Sequence, residues 1–472
     1  MIKTTLEQIA NVVDGNFPSS AESAALPVSA VATDNRQITG GELFVAIAGE
    51  RVDGNRFAAT ALTAGASGVL TADRAAAQAS GAPAERIITV VDPILALGKI
   101  AHDQEQAVRK SGQPNFKVIG VTGSVGKTTT KDLLADLLSW RGPIIAPPGS
   151  FNNELGLPLT VLRANENTAT LVLEMGADHI GNLDYLTGIA APDISVVLAV
   201  ARAHLGEFGG IENVAKAKSE LVTGTRSDGV VVLNYDDERV RAMARLAPGK
   251  VVFFSVSGQY REGVWASNIA TDPTGKATFT LHHAGEAAQV ALNLVGTHHV
   301  ANALAAATVA IELGATVADC ATRLSQARAD SPHRMDVWDS AGVRIIDDSY
   351  NANPDSMRAG LQALAHIGQG QRTIAVLGQM LELGEASASE HESIGHTVAD
   401  LGIDILIALG DGVETMALAA QNDGVEVHQV ADISEARLLL DRLVCDGDVV
   451  LLKGSNGSGV WQLADALKEK DR

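Results

Sequence analysis

Cysteine is almost missing from this sequence: Cys320 and Cys445 are the only two in 472 residues. That scarcity excludes a disulfide framework and fits a reducing compartment, and neither cysteine has metal-ligand spacing. Long apolar runs are missing too. No stretch of about 18 apolar residues occurs, and the opening "MIKTTLEQIANVVDG" lacks the uninterrupted apolar core of a secretion signal. A soluble, cytoplasmic protein with no stable membrane insertion is expected. Positive charge is in short supply as well, with 36 Lys+Arg against 56 Asp+Glu and a net charge of -20. Such a field excludes a nucleic-acid or anionic-membrane partner, so any polyanionic ligand must be held by local cations. Internal repeats and low-complexity tracts are also absent.

What the chain does contain is length and alternation. At roughly 100 to 200 residues per domain, it is long enough for about three domains, each with its own core. Short Val- and Ile-rich runs alternate with segments of helical period, the signature of parallel sheets covered by helices. One series comprises "FKVIGVTG", "ATLVLEMG", "DISVVLAVA" and "GVVVLNYDD"; a second comprises "VRIIDDSY", "RTIAVLGQM", "DILIALGDG" and "DVVLLKGSNG". Most runs break at a glycine or an acidic residue, so ligands should gather at their C-terminal ends. The earlier "GELFVAIAGERVDGNRF" reads as a strand and a Gly-rich turn of a separate small α/β domain. The expected division is 1–105, 106–316 and 317–472. Near the second boundary, one helix in "LGATVADCATRLSQARADSPHRMDV" can join either neighbour.

The densest chemical signal is "VIGVTGSVGKTTT", Val118 to Thr130. A phosphate-binding loop usually carries an outer glycine where this chain has Val121, with Gly120 one place earlier. Strand, Gly-rich turn and helix nevertheless come in the required order, and Leu133, Leu134, Leu137 and Leu138 share one face of the following helix. Backbone N–H groups from Gly123 through Ser124 and Val125 to Gly126 would wrap phosphates, with Thr122 and Thr129 flanking them. Lys127 would neutralise the terminal phosphate and Thr128 would reach Mg²⁺. An ordinary strand-to-helix turn with a surface lysine is the plain alternative.

Glu174 ends an apolar strand, where a carboxylate can bind a metal bridging nucleotide phosphates. A solvated strand-end glutamate would look the same. His204 follows another buried strand, and one histidine alone carries little weight. In "GIENVAKAKSELV", Lys216 shares a helical face with Glu212, Asn213, Ser219 and Glu220 and should be solvated. Lys218 shares its face with Val214, Leu221 and Val222, where desolvation would lower its pKa and make the neutral amine accessible. By spacing alone, a lysine snorkelling past the apolar stripe fits better.

Together these segments resemble the Mur ligases, ATP-dependent amide-forming enzymes that assemble the peptide of bacterial cell-wall precursors. The resemblance covers almost the whole chain, through "TDNRQITGGELFVAIAGERVDG", "TGSVGKTTTK", "FNNELGLPLT", "GTHHVANALAA", "HRMDV", "IIDDSYNANPDSM", "LGQMLELG" and "LKGSNGSG". The family's own loop, Thr-Gly-Ser/Thr-x-Gly-Lys-Thr, also omits the outer glycine.

The resemblance implies a UDP-sugar-binding N-terminal α/β domain, a central P-loop-type domain with helices on both sheet faces, and a Rossmann-like C-terminal domain that closes on ATP and the amine acceptor. It implies that Glu174 and His204 hold Mg²⁺ and that Lys218 carries a CO₂-derived carbamate, a carboxylate-like group suited to a second metal or to helping metal coordination. Asn302 would contact adenine, Arg334 the phosphates, and Asp348, Asn351 and Asn353 the nucleotide and acceptor. Asn152 and Asn153 would border the incoming carboxyl substrate, and Asn35 and Arg36 the UDP-sugar. Asn35 replaces a usual serine, His299 a usual asparagine, Gln379 a usual aspartate and Asn456 a usual arginine. The last two fall among the acceptor contacts.

The implied substrates are ATP, UDP-N-acetylmuramoyl-tripeptide and D-alanyl-D-alanine, joined through an acyl phosphate by a monomer in peptidoglycan synthesis. "SYNANPDSM" favours this dipeptide-adding type over folylpolyglutamate synthase or a ligase adding the third amino acid, and an Asp-Asn-Pro-Arg motif is absent. A nucleotide-dependent switch is the alternative from another class.

Overall fold

The structure is a computed structural model describing residues 1–49, 52–201, 208–328 and 331–470. All eight Val- and Ile-rich runs are strands, and the expected α/β class holds. Because these runs are apolar on both faces, they pair in parallel beneath helices.

The first unit has four parallel strands in sequence order: Ala30–Ala32, Glu42–Ala46, Gly68–Thr71 and Ile87–Thr89. The second is a nine-stranded sheet with Lys117–Thr122 between Thr170–Glu174 and Ile194–Val197. Register aligns Thr122 with Val197 and Val121 with Glu174, so the phosphate loop and the Glu174 carboxylate emerge at the same edge. The far side of this sheet is an antiparallel meander, Val264–Thr271, Lys276–His283 and Glu286–Val295. Sequence reading did not trace it, although part of Glu286–Val295 alternates between exposed and buried positions. The third sheet has six strands, parallel except for the antiparallel edge Asp336–Ser340.

A helix lies at each expected boundary. The break at 105/106 falls inside the helix Pro93–Lys110, which Asp92 caps and Pro93 opens. The helix Val317–Gln326, which the sequence left open to either neighbour, buries Val317, Cys320, Ala321 and Leu324 in the second sheet's core. Among the described residues, no helix is long and apolar enough to cross a membrane.

Candidate active site

A cleft of about 620 Å³ opens at the C-terminal edge of the second sheet and is closed on its other side by the third unit. Its floor is the loop Gly123–Gly126. Gly126 has φ 82°, and a Cβ there would lie 2.3 Å from the Asn302 side-chain oxygen. Only glycine suits that turn, which aims the loop N–H groups into the cleft at the start of the helix Lys127–Leu137. Ser124 ties the loop to the neighbouring strand end, its Oγ donating to the Ala201 carbonyl at 3.2 Å. The Lys127 ammonium donates to the Gly123 carbonyl at 2.8 Å. Burial pushes its pKa down, Glu174 opposes that shift, and Arg334 adds to it.

Glu174, 1% exposed, is held at both oxygens. Thr128 Oγ1 donates to Oε2 at 2.8 Å and Asn152 Nδ2 to Oε1 at 2.7 Å. From the third unit, Arg334 Nη2 donates to Thr128 Oγ1 at 3.1 Å and to Ser150 Oγ at 3.2 Å. Residues far apart in sequence thus meet at one point between two units. Among the described residues, no group of three His, Cys, Asp or Glu side chains is placed to hold a metal unaided. The Thr128 and Glu174 oxygens are the hard donors that suit a Mg²⁺ completing its shell with water and phosphate. His204 lies outside the described residues.

Lys216 faces solvent, as its helical spacing predicts, whereas Lys218, for which spacing alone favoured a snorkelling side chain, lines the same cleft at 3% exposure. Desolvation, assisted by the Lys127 charge, lowers the Lys218 pKa to about 7. Glu220 departs from expectation. Instead of joining Lys216 in solvent, its buried carboxylate accepts the Gly181, Leu183 and Asp184 amides at the start of the helix Asn182–Ile189.

Comparison with known proteins agrees with this geometry. Residues 27–105 match the description Mur ligase family, catalytic domain; 121–310 match Mur ligase middle domain; and 333–456 match Mur ligase, glutamate ligase domain. UDP-N-acetylmuramoyl-tripeptide–D-alanyl-D-alanine ligase of Mycobacterium tuberculosis is 42% identical, covering 100% of this chain and 99% of that protein. The chain belongs to the Mur ligase family. A MurF crystal structure from Acinetobacter baumannii superposes with TM-score 0.84 at 30% identity, covering 99% of both chains. MurF from Thermotoga maritima, solved in complex with ADP, gives TM-score 0.78 at 27% identity over 94% of this chain and 97% of that one.

In this Mur ligase, Thr129, Asn153, Asn302, Asp348, Asn351 and Asn353 also line the cleft. Several of them have local structural work as well. Asn353 caps the helix Pro354–Ile367, Asn153 accepts the Gly156 amide at 2.9 Å, and Asn351 accepts the Ala352 amide at 2.9 Å. Thr122 is buried beneath the loop without lining the cleft. Asn35 and Arg36 are not brought to this cleft; they form a short turn in the first unit, where Arg36 pairs with Asp34 at 2.6 Å.

Sequence reasoning did not single out three cleft residues. Ser150 joins Thr128 at 2.8 Å, Tyr350 lies under the Arg334 guanidinium at 4.1 Å, and Lys453 pairs with Asp348 at 2.5 Å. Lys453 stands in the quoted "LKGSNGSG", but its partner is 105 residues away.

Proposed function

We propose that this Mur ligase joins D-alanyl-D-alanine to the terminal carboxylate of UDP-N-acetylmuramoyl-tripeptide, converting ATP to ADP and phosphate during peptidoglycan synthesis. The observation that carries the reading is the meeting, in one cleft, of the second unit's phosphate loop with Arg334 and Asp348 of the third. Residues 1–105 would bind the UDP-sugar through Asn35 and Arg36, 106–316 would bind ATP, and 317–472 would close on ATP and present the amine. The chain would act as a cytoplasmic monomer.

A free carboxylate is a poor acylating agent, so it must first take a phosphoryl group. One carboxylate oxygen attacks the γ-phosphorus in line, the bond to the β-phosphate oxygen breaks, and ADP carries away the electron pair. Lys127 and Arg334 flank this charge, and Thr128 is fixed by Arg334, Ser150 and Glu174 before substrate arrives. A polyphosphate beside Lys127 favours its ammonium form, offsetting the depression caused by burial. The dipeptide amine then attacks the acyl carbon, the C–O bond to phosphate breaks, and the amine loses a proton as the amide forms. Closure of the third unit excludes the water that would hydrolyse the acyl phosphate.

Thr128, Glu174 and His204 would hold Mg²⁺, whose chemistry is neutralisation of adjacent phosphate oxygens. Lys218 would carry the carbamate. Its depressed pKa supplies the neutral amine that CO₂ requires, and the product replaces a buried cation with a carboxylate-like anion.

The test is phosphate release measured against a panel of UDP-muramoyl peptides and amine acceptors. Release requiring both the tripeptide and D-alanyl-D-alanine is expected. Release independent of any amine would favour a nucleotide switch, and better turnover with a single amino acid or a pteroate would favour another ligase of the superfamily.

A further inference from the structure

The departure at His299 has a physical reading of its own. His299 opens the helix His299–Glu312 and lines the nucleotide cleft, yet it is 5% exposed. Its Nε2 has no hydrogen-bond partner among the described residues. The other ring nitrogen, Nδ1, accepts from the Asn302 amide nitrogen at 3.2 Å. A neutral imidazole that accepts at Nδ1 carries its proton on Nε2. Burial, with help from the charges of His298 and Arg334, keeps this ring neutral by holding its pKa well below the ordinary histidine value. The result is a buried N–H donor with nothing to receive its proton. Such a group is costly unless a ligand satisfies it.

A second observation points the same way. Arg334 uses Nη2 on Thr128 and Ser150, but its buried Nε also lacks a partner among the described residues. The two residues that carry these buried, unsatisfied N–H donors, one from each side of the domain joint, both line the same cleft. The Asn302 oxygen lies against Gly126 at the end of the phosphate loop, while Arg334 is bonded to the threonine that follows Lys127. His299 is linked to both: by hydrogen bond to Asn302, and electrostatically to Arg334. A ligand with several acceptor oxygens beside the loop can satisfy both donors at once, whereas a single purine ring nitrogen can receive only one of them.

We infer that His299 is a further ATP ligand whose Nε2–H donates to a β- or γ-phosphate oxygen, working beside Arg334. This rests on the assignment of the cleft to ATP. Replacing the usual asparagine by histidine keeps an N–H donor at the position and moves it farther from the backbone. The Asn302 amide sets the tautomer, so Asn302 acts on the phosphates through His299.

His299→Met and His299→Gln isolate the donor, because the two side chains are similar in length and only glutamine carries N–H. Calorimetric ATP binding should weaken about tenfold or more in His299→Met, in the range expected for a lost hydrogen bond to a charged acceptor, and by no more than about threefold in His299→Gln. AMP, which keeps the base and ribose but lacks the β- and γ-phosphates, should bind both variants and the wild type alike. Equal ATP binding by the two variants, or equal loss for AMP and ATP, would overturn the inference. Histidine ¹⁵N spectra of the unsubstituted protein give an independent reading: the His299 proton belongs on Nε2, and a proton found on Nδ1 sinks the proposal even if a variant fails to fold. Binding is measured without turnover, so a wild type that binds ATP but ligates nothing would refute the ligase reading and leave this one standing.

Discussion

Removing the Glu220 carboxylate should unfasten one helix while leaving the phosphate loop in place. The helix Asn182–Ile189 begins after Gly181, which has no side chain to cap it. Glu220 supplies the missing acceptor from another helix, taking the amides of Gly181 at 2.7 Å, Leu183 at 3.1 Å and Asp184 at 3.2 Å. The residue is 7% exposed, so water cannot easily take over. Hydrogen bonds to a charged acceptor contribute about 1.5–3 kcal/mol each, and an anion at a helix N-terminus adds up to about 2 kcal/mol. These contributions share one carboxylate and do not add in full, which puts the cost of Glu220→Ala at about 3–5 kcal/mol. Glu220→Gln keeps one acceptor oxygen but turns an NH₂ toward the remaining donors, for a loss of about 1–3 kcal/mol. A chain with several cores has no single unfolding free energy, so amide hydrogen exchange at residues 181–184 is the appropriate assay. The alanine variant should exchange there about 10² to 4 × 10³ times faster, at about 1.4 kcal/mol per decade. Exchange within threefold of wild type would refute the capping argument.

Gly126→Ala places a Cβ at φ 82° and 2.3 Å from the Asn302 oxygen. The left-handed conformation alone costs about 1–2 kcal/mol, and displacing Asn302 removes its contact with His299, so ATP affinity should fall about tenfold or more; unchanged affinity would contradict the loop geometry. Lys218→Ala should be nearly inactive and partly recover with added acetate or formate, while Lys216→Ala matches wild type; absence of rescue counts against the carbamate. In CO₂-free buffer without nucleotide, Lys218→Met should melt higher than wild type at pH 7. The Lys218 pKa falls from 10.5 unfolded to about 7 folded, so the unfolded state binds the extra proton and wild-type stability rises with pH across that window. The methionine variant's advantage should therefore shrink toward pH 10, and a pH-independent difference would refute the shift.

The parts of this molecule legible in the sequence were those set by short-range patterns. Val- and Ile-rich runs became strands, the glycine spacing became a loop, and the helical wheel put Lys216 in solvent, although spacing alone favoured a snorkelling Lys218 over the buried one found. Glu220 shows where such reasoning stops. A helical wheel gives the direction of a side chain but not what occupies that direction, and here it is the bare end of another helix. Asn153 and Asn353 carry a related lesson: both line the cleft, and both also satisfy local backbone donors, so an asparagine in a motif can serve the fold and the site together. The helix Pro93–Lys110 announces its start through Asp92 and Pro93, but nothing local marks that its two ends serve different units. Lys453 was hidden for the same reason, since its ion pair with Asp348 exists only after the third sheet has brought two distant strands together.

That shared helix decides how the chain could be recombined. Gln104 donates to the Ala164 carbonyl at 2.8 Å, Arg109 pairs with Asp193 at 3.0 Å, and Leu6, Ile9, Leu97, Leu157 and Leu186 belong to one apolar cluster. A chimaera joined at 105/106 would have to match two foreign surfaces along one rigid rod. A crossover after Ala327, the cap of the last helix of the second core, inherits that core whole and imports Arg334 together with the sheet that supports it. The third unit is thus the exchangeable cassette for testing acceptor choice, and the first two must travel as a pair.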